Sequence, residues 1–386
     1  MNLPSLLRAA CGAAGLMLGG VLVAADAPGF QAALFNGRDF DGWQVTGCEA
    51  VVEDGLLVLK AGDGFVRTNE RHGDFVLELD WKARRASKYD SGIYIRADLP
   101  AEGKPWPSRY QINLLEGKEG NINGLAGAES KGLARPGEWN HFKITVVGDT
   151  AALEINGTPA WKATGLENAD GYIGLQSEVD GGGQFEFREI KLTDLDYQPL
   201  FNGRDLAGWT GDTSGYKVVD GVIVSPTTGS GRLFTADEYS DFSFRFDFKL
   251  TPGGNNGVGI RTPLEGDPAY VGMEVQILDN DAEVYKSIQP YQAHGSVYGI
   301  VPAKTGYLKP VGEWNHEEII ANGRHVTVIL NGTTIVDANI DDAAKSGTLD
   351  GKDHPGLKRD QGHIGFLGHG AKIEFKNLRI KDLAGK

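Results

Sequence analysis

The chain repeats itself. Leu34-Phe35-Asn36-Gly37-Arg38-Asp39 returns as Leu200-Phe201-Asn202-Gly203-Arg204-Asp205, and Gly42-Trp43 returns as Gly208-Trp209. Gly73-Asp74-Phe75 returns in Ser240-Asp241-Phe242. Ser91-Gly92-Ile93-Tyr94-Ile95-Arg96 returns as Asn256-Gly257-Val258-Gly259-Ile260-Arg261. Gly137-Glu138-Trp139-Asn140-His141 returns as Gly312-Glu313-Trp314-Asn315-His316. Three later anchors follow in the same order: Ile155-Asn156-Gly157, Gly171-Tyr172-Ile173-Gly174 and Phe187-Arg188-Glu189-Ile190, matched by Leu330-Asn331-Gly332, Gly362-His363-Ile364-Gly365 and Phe375-Lys376-Asn377-Leu378. A period of about 170 residues is far longer than a solenoid unit and is the size of a domain. The chain is therefore read as a duplicated domain, with the seam at Tyr197-Gln198-Pro199.

Inside each copy the pattern is that of half-buried strands. Phe75, Leu77, Leu79 and Trp81 alternate with polar residues, and Phe242, Phe244, Phe246 and Phe248 do the same. That is the period-two signature of a sheet with one face in a core. Asn156-Gly157 and Asn331-Gly332 read as hairpin turns, because both residue types tolerate the positive φ of a type I′ turn. Only Asp341 to Ser346 suggests a short helix. Many antiparallel strands, few helices and 55 glycines punctuating short runs predict an all-β chain of two tandem jelly-roll β-sandwich domains.

The N-terminus reads as a secretory signal. Arg8 precedes an apolar run through Leu16, Leu18, Val21 and Val23, and Val23-Ala24-Ala25 offers small residues for cleavage. The run is short for a membrane span and holds Gly15, Gly19 and Gly20. Residues 1–25 are accordingly taken as a signal peptide, 30–197 as the first sandwich and 198–384 as the second, in a secreted or periplasmic protein. Cys11 falls in the signal, which leaves Cys48 without an intrachain partner, so burial and not a disulfide must hold the fold. A net charge of −14 argues against nucleic-acid or anionic-membrane partners. The sequence points to no specific protein partner.

Taken together, Leu-Phe-Asn-Gly-Arg-Asp with Gly-Trp, a central Gly-Ile-x-x-Arg-type strand, Glu274-Val275-Gln276-Ile277-Leu278-Asp279, Gly-Glu-Trp-Asn, a late Asn-Gly and a closing Gly-x-Ile-Gly resemble the 3-keto-disaccharide hydrolase domain family, which is similar in fold to concanavalin A-like lectins and glucanases. The resemblance spans nearly all of the chain after the signal, twice. The second copy matches better. It carries Asn255-Asn256-Gly257 with Arg261, then Glu274, Gln276, Asp279, His294, Tyr298 and His369. The first copy has Gln111 where the second has Glu274, and Glu116 where it has Asp279. Replacing a carboxylate by an amide removes a base or metal ligand, so the chemistry is placed in the second domain.

Residues two apart in a strand share a face. Glu274 with Gln276, and Gly257 and Gly259 with Arg261, are therefore expected to meet on an open sheet surface. The resemblance implies cleavage of a glycosidic bond in a sugar oxidised at C3. The C3 ketone acidifies the C2 proton; a base removes it, the C1 oxygen leaves, and water adds to the enone. On this reading Glu274 or His294 is the base. Arg261, or a divalent cation held by Glu274, Asp279 and His369, stabilises the enolate, and Tyr298 or Asp279 protonates the leaving oxygen. Gln276, Asn256 and His369, together with Arg96, Gln111, Asn113 and Glu116 of the first copy, are the expected substrate-binding residues. Two other readings stay open: a lectin-like carbohydrate-binding protein without catalysis, and a structural pair of domains. Trp43, Trp209, Trp139-Asn140 and Trp314-Asn315 recur in both copies and are read as anchors of the fold.

Overall fold

The computed structural model describes residues 29–178 and 184–384; the signal peptide expected over residues 1–25 lies outside them. Both halves are antiparallel β-sandwiches, as the alternation predicts. In the first, an eight-stranded sheet centred on Phe75–Ala83 and Phe185–Asp194 packs against a five-stranded sheet. The five run in the order Trp43–Thr46, Asp63–His72, Gly171–Glu178, Gly92–Ala97 and Gln111–Asn113. The second half repeats this plan. Its five-stranded sheet runs Trp209–Gly211, Arg232–Thr235, His363–Leu367, Asn255–Thr262, Met273–Leu278.

Each sandwich has its own core. The first gathers Phe75, Leu77, Leu79, Trp81, Ile93, Ile95, Phe142 and Phe185, and the second gathers Phe242, Phe244, Phe246, Phe248, Val258, Val275 and Phe366. Phe366 and Phe375 stack with centroids 3.8 Å apart across the two sheets. The conserved spacing of the two copies has local causes. Trp43 Nε1 donates to the Leu34 carbonyl (2.6 Å) and Trp209 Nε1 to the Leu200 carbonyl (2.8 Å), tying each domain's first loop to its sheet. Asn156 and Gly157, and Asn331 and Gly332, all take positive φ, as the hairpin reading requires. A helix forms at Ile340–Ala344, capped by Asn339; a second at Pro268–Val271, capped by Asp267, was not anticipated.

The chain passes from one sandwich to the other after Asp194, and Gln198–Pro199 already pairs in the second. At this seam Tyr197 is buried, its hydroxyl 2.7 Å from Ser243 Oγ and 3.1 Å from Glu318 Oε1. Glu70 of the first domain accepts from Arg245 (2.9 Å) and Arg379 (2.6 Å) of the second, and lies 2.9 Å from His316 Nε2. Burial opposes ionisation of Glu70, but Arg379, His316 and Arg245 outweigh it and hold the carboxyl well below its usual range. No helix among the described residues is long and apolar enough to cross a membrane.

Candidate functional site

The site grows from two glycines. Gly257 lies opposite Gln276 and Gly259 opposite Glu274 in the ladder between Asn255–Thr262 and Met273–Leu278. With no side chain at either glycine, the sheet surface there is open, and the Glu274 carboxylate bends into the space. A Cβ added at Gly257 would collide with it. The result is a cavity of ≈ 220 Å³ on the outer face of the five-stranded sheet, lined by Glu274, Gln276, Asn255, Arg232, Tyr298 and His369, with Asp267, Tyr270 and Gln292 at its sides. It is sized for one sugar ring.

Three acceptor oxygens in this cavity, Asn255 Oδ1, Glu274 Oε1 and Gln276 Oε1, are buried and receive no hydrogen bond from the protein. Native proteins leave few buried polar atoms unpaired. Three in one cavity call for a ligand rich in donors. Burial and, to a lesser degree, Asp267 raise the Glu274 pKa to about 8, against a smaller opposing effect of Arg232, so the carboxyl is protonated at neutral pH. His369 Nε2 lies 4.0 Å from Glu274 Oε1. Burial lowers its pKa, and Arg232 adds to this against the pull of Asp267, so its imidazole is unprotonated at neutral pH. Two neighbouring groups pushed in opposite directions make an acid and a base available together.

The structure thus brings together four of the expected residues, Glu274, Gln276, Tyr298 and His369, and places the others elsewhere. Arg261 is a correction. It sits at a register shift between Gly259 and Thr262 with φ +49°, so the side-chain alternation that put it beside Gly257 and Gly259 breaks before it. Its guanidinium is 1% exposed and donates to Ser240 O, Gly323 O and Asp241 Oδ1 at 2.8–2.9 Å, holding the two sheets together. Arg96 does the same in the first domain, with φ +44° and bonds to Gly73 O, Asn168 O and Asp74. Their recurrence in both copies was the signal that these arginines serve the fold. The guanidinium in the cavity belongs instead to Arg232, which pairs with Leu367 in the neighbouring strand and which sequence reasoning missed.

His294 is also a correction: it is 2% exposed, packs on the Phe248 ring, and its Nε2 lies 3.0 Å from the buried Glu317 carboxylate inside the sandwich. Asp279 caps a turn, accepting from Gly253 N (2.9 Å) and Asp281 N (3.3 Å). Asn256 turns inward and accepts from Leu367 N, while its neighbour Asn255 faces the cavity. With Asp279 spent on its turn, Glu274 and His369 lack the third ligand expected for them. Among the described residues no group of three or more His, Cys, Asp or Glu side chains could hold a metal ion. The expected cation set does not fit, and no step is routed through it.

In the first domain the same register places Gln111 at the Glu274 position, Asn113 at Gln276, Tyr94 at Gly259 and Phe65 at Arg232. Tyr94 and Phe65 pack edge to face (5.4 Å) where the second domain is open. Gln111 donates to Gln176, Asn113 accepts from Leu115 N (2.6 Å), and the exposed Glu116 accepts from Lys88 N (2.7 Å). The substrate-binding set expected there is satisfied by its own chain.

The model of a family described as 3-keto-alpha-glucoside-1,2-lyase-like domain matches the chain twice, over residues 31–193 and 196–381. A 3-keto-disaccharide hydrolase of Bacteroides thetaiotaomicron is 26% identical over 229 residues, covering 48% of this chain and 78% of the relative. A solved structure of a candidate glycosyl hydrolase from Parabacteroides distasonis is 30% identical, covering 48% of this chain and 99% of that one, with a TM-score of 0.44. A carbohydrate-binding module of Bacillus subtilis, CBM66, is 16% identical over 45% of this chain and 96% of that one, with a TM-score of 0.33.

Proposed function

Because both halves of this chain belong to the family of 3-keto-alpha-glucoside-1,2-lyase-like domains, we propose that its second domain cleaves the glycosidic bond of a sugar already oxidised at C3. The observation that carries this reading is the trio of unpartnered acceptor oxygens beside an acid–base pair in a cavity sized for one sugar ring. Sugar hydroxyls are the donors such oxygens lack.

The reacting atoms of a 3-keto-glycoside lie on adjacent carbons. His369, unprotonated at neutral pH, takes the proton from C2. The C3 oxygen gains charge as it does so, and the protonated Glu274 carboxyl together with the Arg232 guanidinium stabilises it. A carboxylic acid kept neutral by burial is suited to donate to a developing oxyanion. The 4.0 Å between His369 and Glu274 matches groups that must act on neighbouring atoms. The C2 electron pair then forms the C1–C2 double bond as the C1–O bond breaks. Water adds to the enone, its hydroxyl to C1 and a proton to C2, so the net change is hydrolysis. The sequence signal with Arg8 and the run to Val23 supports a reaction outside the cytoplasm.

The test is to incubate the purified chain with 3-keto-glucosides and with the same glucosides unoxidised. The reading expects cleavage of the first set alone. Tight binding of both sets without any product would favour the lectin-like alternative and overturn it.

A further inference from the structure

The second domain carries a segment the first does not. Between Thr158–Thr164 and Gly171–Glu178 the first domain needs six residues, 165–170; between Thr333–Asn339 and His363–Leu367 the second uses twenty-three, 340–362. The longer connection folds against the wall of the cavity. Gly356 packs so closely on Gly272, next to the short helix Pro268–Val271, that a Cβ there would meet the Gly272 backbone. Leu349 N donates to Gly299 O at 2.7 Å. Asp350 fixes the turn by accepting from Lys352 N (3.0 Å) and lies 3.1 Å from the buried His354 Nε2, whose ring sits 4.8 Å from that of Tyr270. All this holds Lys352, whose ammonium donates to Tyr270 Oη at 2.7 Å.

We propose that Tyr270 is the acid that protonates the departing C1 oxygen, and that Lys352 is the positioning residue that aims its proton into the cavity. This rests on the reading of the site given above. An ammonium only donates, so Lys352 occupies a lone pair of the phenol and leaves its O–H proton free for a ligand. The ammonium also stands where it offsets the charge left on the oxygen once that proton has gone. Tyr298 shares the cavity but accepts only from the neutral Gln292 amide (3.3 Å), and burial raises its pKa. The proton balance closes. Tyr270 gives its proton to the leaving oxygen as the C1–O bond breaks, Lys352 offsets the phenolate charge, and the water that adds at C1 returns the proton to Tyr270 while protonated His369 returns one to C2.

The experiment compares a 3-keto-disaccharide, whose alkoxide must be protonated to leave, with a 4-nitrophenyl 3-keto-glucoside, whose leaving group needs little help. Tyr270→Phe is expected to lower kcat on the disaccharide at least ~100-fold, the ordinary contribution of a general acid, and by a factor at least ten times smaller on the nitrophenyl substrate. Lys352→Met should give the same pattern in weaker form, with Lys352→Arg recovering most of the disaccharide rate. Equal losses on both substrates, or an unchanged disaccharide rate in Lys352→Met, would overturn this assignment and leave the reading of the site standing. If the wild type cleaves neither substrate, both fall together.

Discussion

At the scale of single residues, Glu274 defines the site. A carboxyl that stays protonated in the fold to about pH 8 but ionises near its ordinary value in the unfolded chain destabilises the protein as pH rises between those values. Glu274→Gln, which puts a weaker neutral donor in place of the carboxyl, should therefore lower activity and yet raise Tm at pH 8, by the equivalent of about 4 kcal/mol at most, as checked by thermal melts at pH 5 and pH 8. The same protonation scheme predicts a bell-shaped pH profile of kcat/KM. The rate climbs as His369 loses its proton, below the usual histidine range, and declines as Glu274 ionises near pH 8. Sequence reasoning found Glu274 and Gln276 because their two-residue spacing survives in a regular strand. It misplaced Arg261 because a single residue at positive φ resets that spacing, and it missed Arg232 because only long-range pairing with His363–Leu367 brings that side chain to the cavity. His294 and Asp279 were drawn to the site by chemistry alone; packing on Phe248 and a turn cap claim them.

At the scale of elements, the strand Asn255–Thr262 acts as floor and hinge pin at once. Its glycines admit the Glu274 carboxylate, and its bulge sends Arg261 to bind the opposite sheet. The two ends should respond differently to substitution. Gly257→Ala puts a methyl where the carboxylate lies and is expected to cut activity at least ~100-fold with the fold retained. Gly92→Ala, its counterpart over Gln111, should leave turnover unchanged; steady-state kinetics and circular dichroism check both. Arg261→Met is expected to cost ~3 kcal/mol, because buried acceptors and Asp241 lose their partner, with activity following stability. The alternation, the Asn-Gly turns and the duplicated anchors made the sheets legible from the sequence. The 340–362 segment was not, because its course depends on contacts with Gly272, Gly299 and Tyr270 far away in the chain.

At the scale of the molecule, one copy has kept an open cavity and the other has filled it with Tyr94 and Phe65. The first domain remains tied in through Glu70, whose removal would strip the buried Arg379 of its ion-pair partner and leave Arg245 to Glu318 and His316 to Asp247. Glu70→Gln should cost ~3 kcal/mol and lower the calorimetric transition. Burial works against the His316 charge, but Glu70 and Asp247 outweigh it and raise its pKa to about 9. Its stabilising share is thus whole below about pH 6.5 and vanishes as pH climbs through 9, while that of Glu70 is present above the usual glutamate pKa and disappears in acid. The central claim is that cleavage begins with loss of the C2 proton in the second domain's cavity. NMR of a 3-keto-disaccharide digest run in heavy water, at early times, tests it most directly. Because the half-exposed His369 exchanges the proton it has taken with solvent before one returns to C2, the wild-type chain should release a 3-keto-sugar carrying one deuterium at C2, and Glu274→Gln, with its weaker amide donor, should release it far more slowly. Product that keeps its original C2 proton, or equal product from the Gln variant, would contradict it.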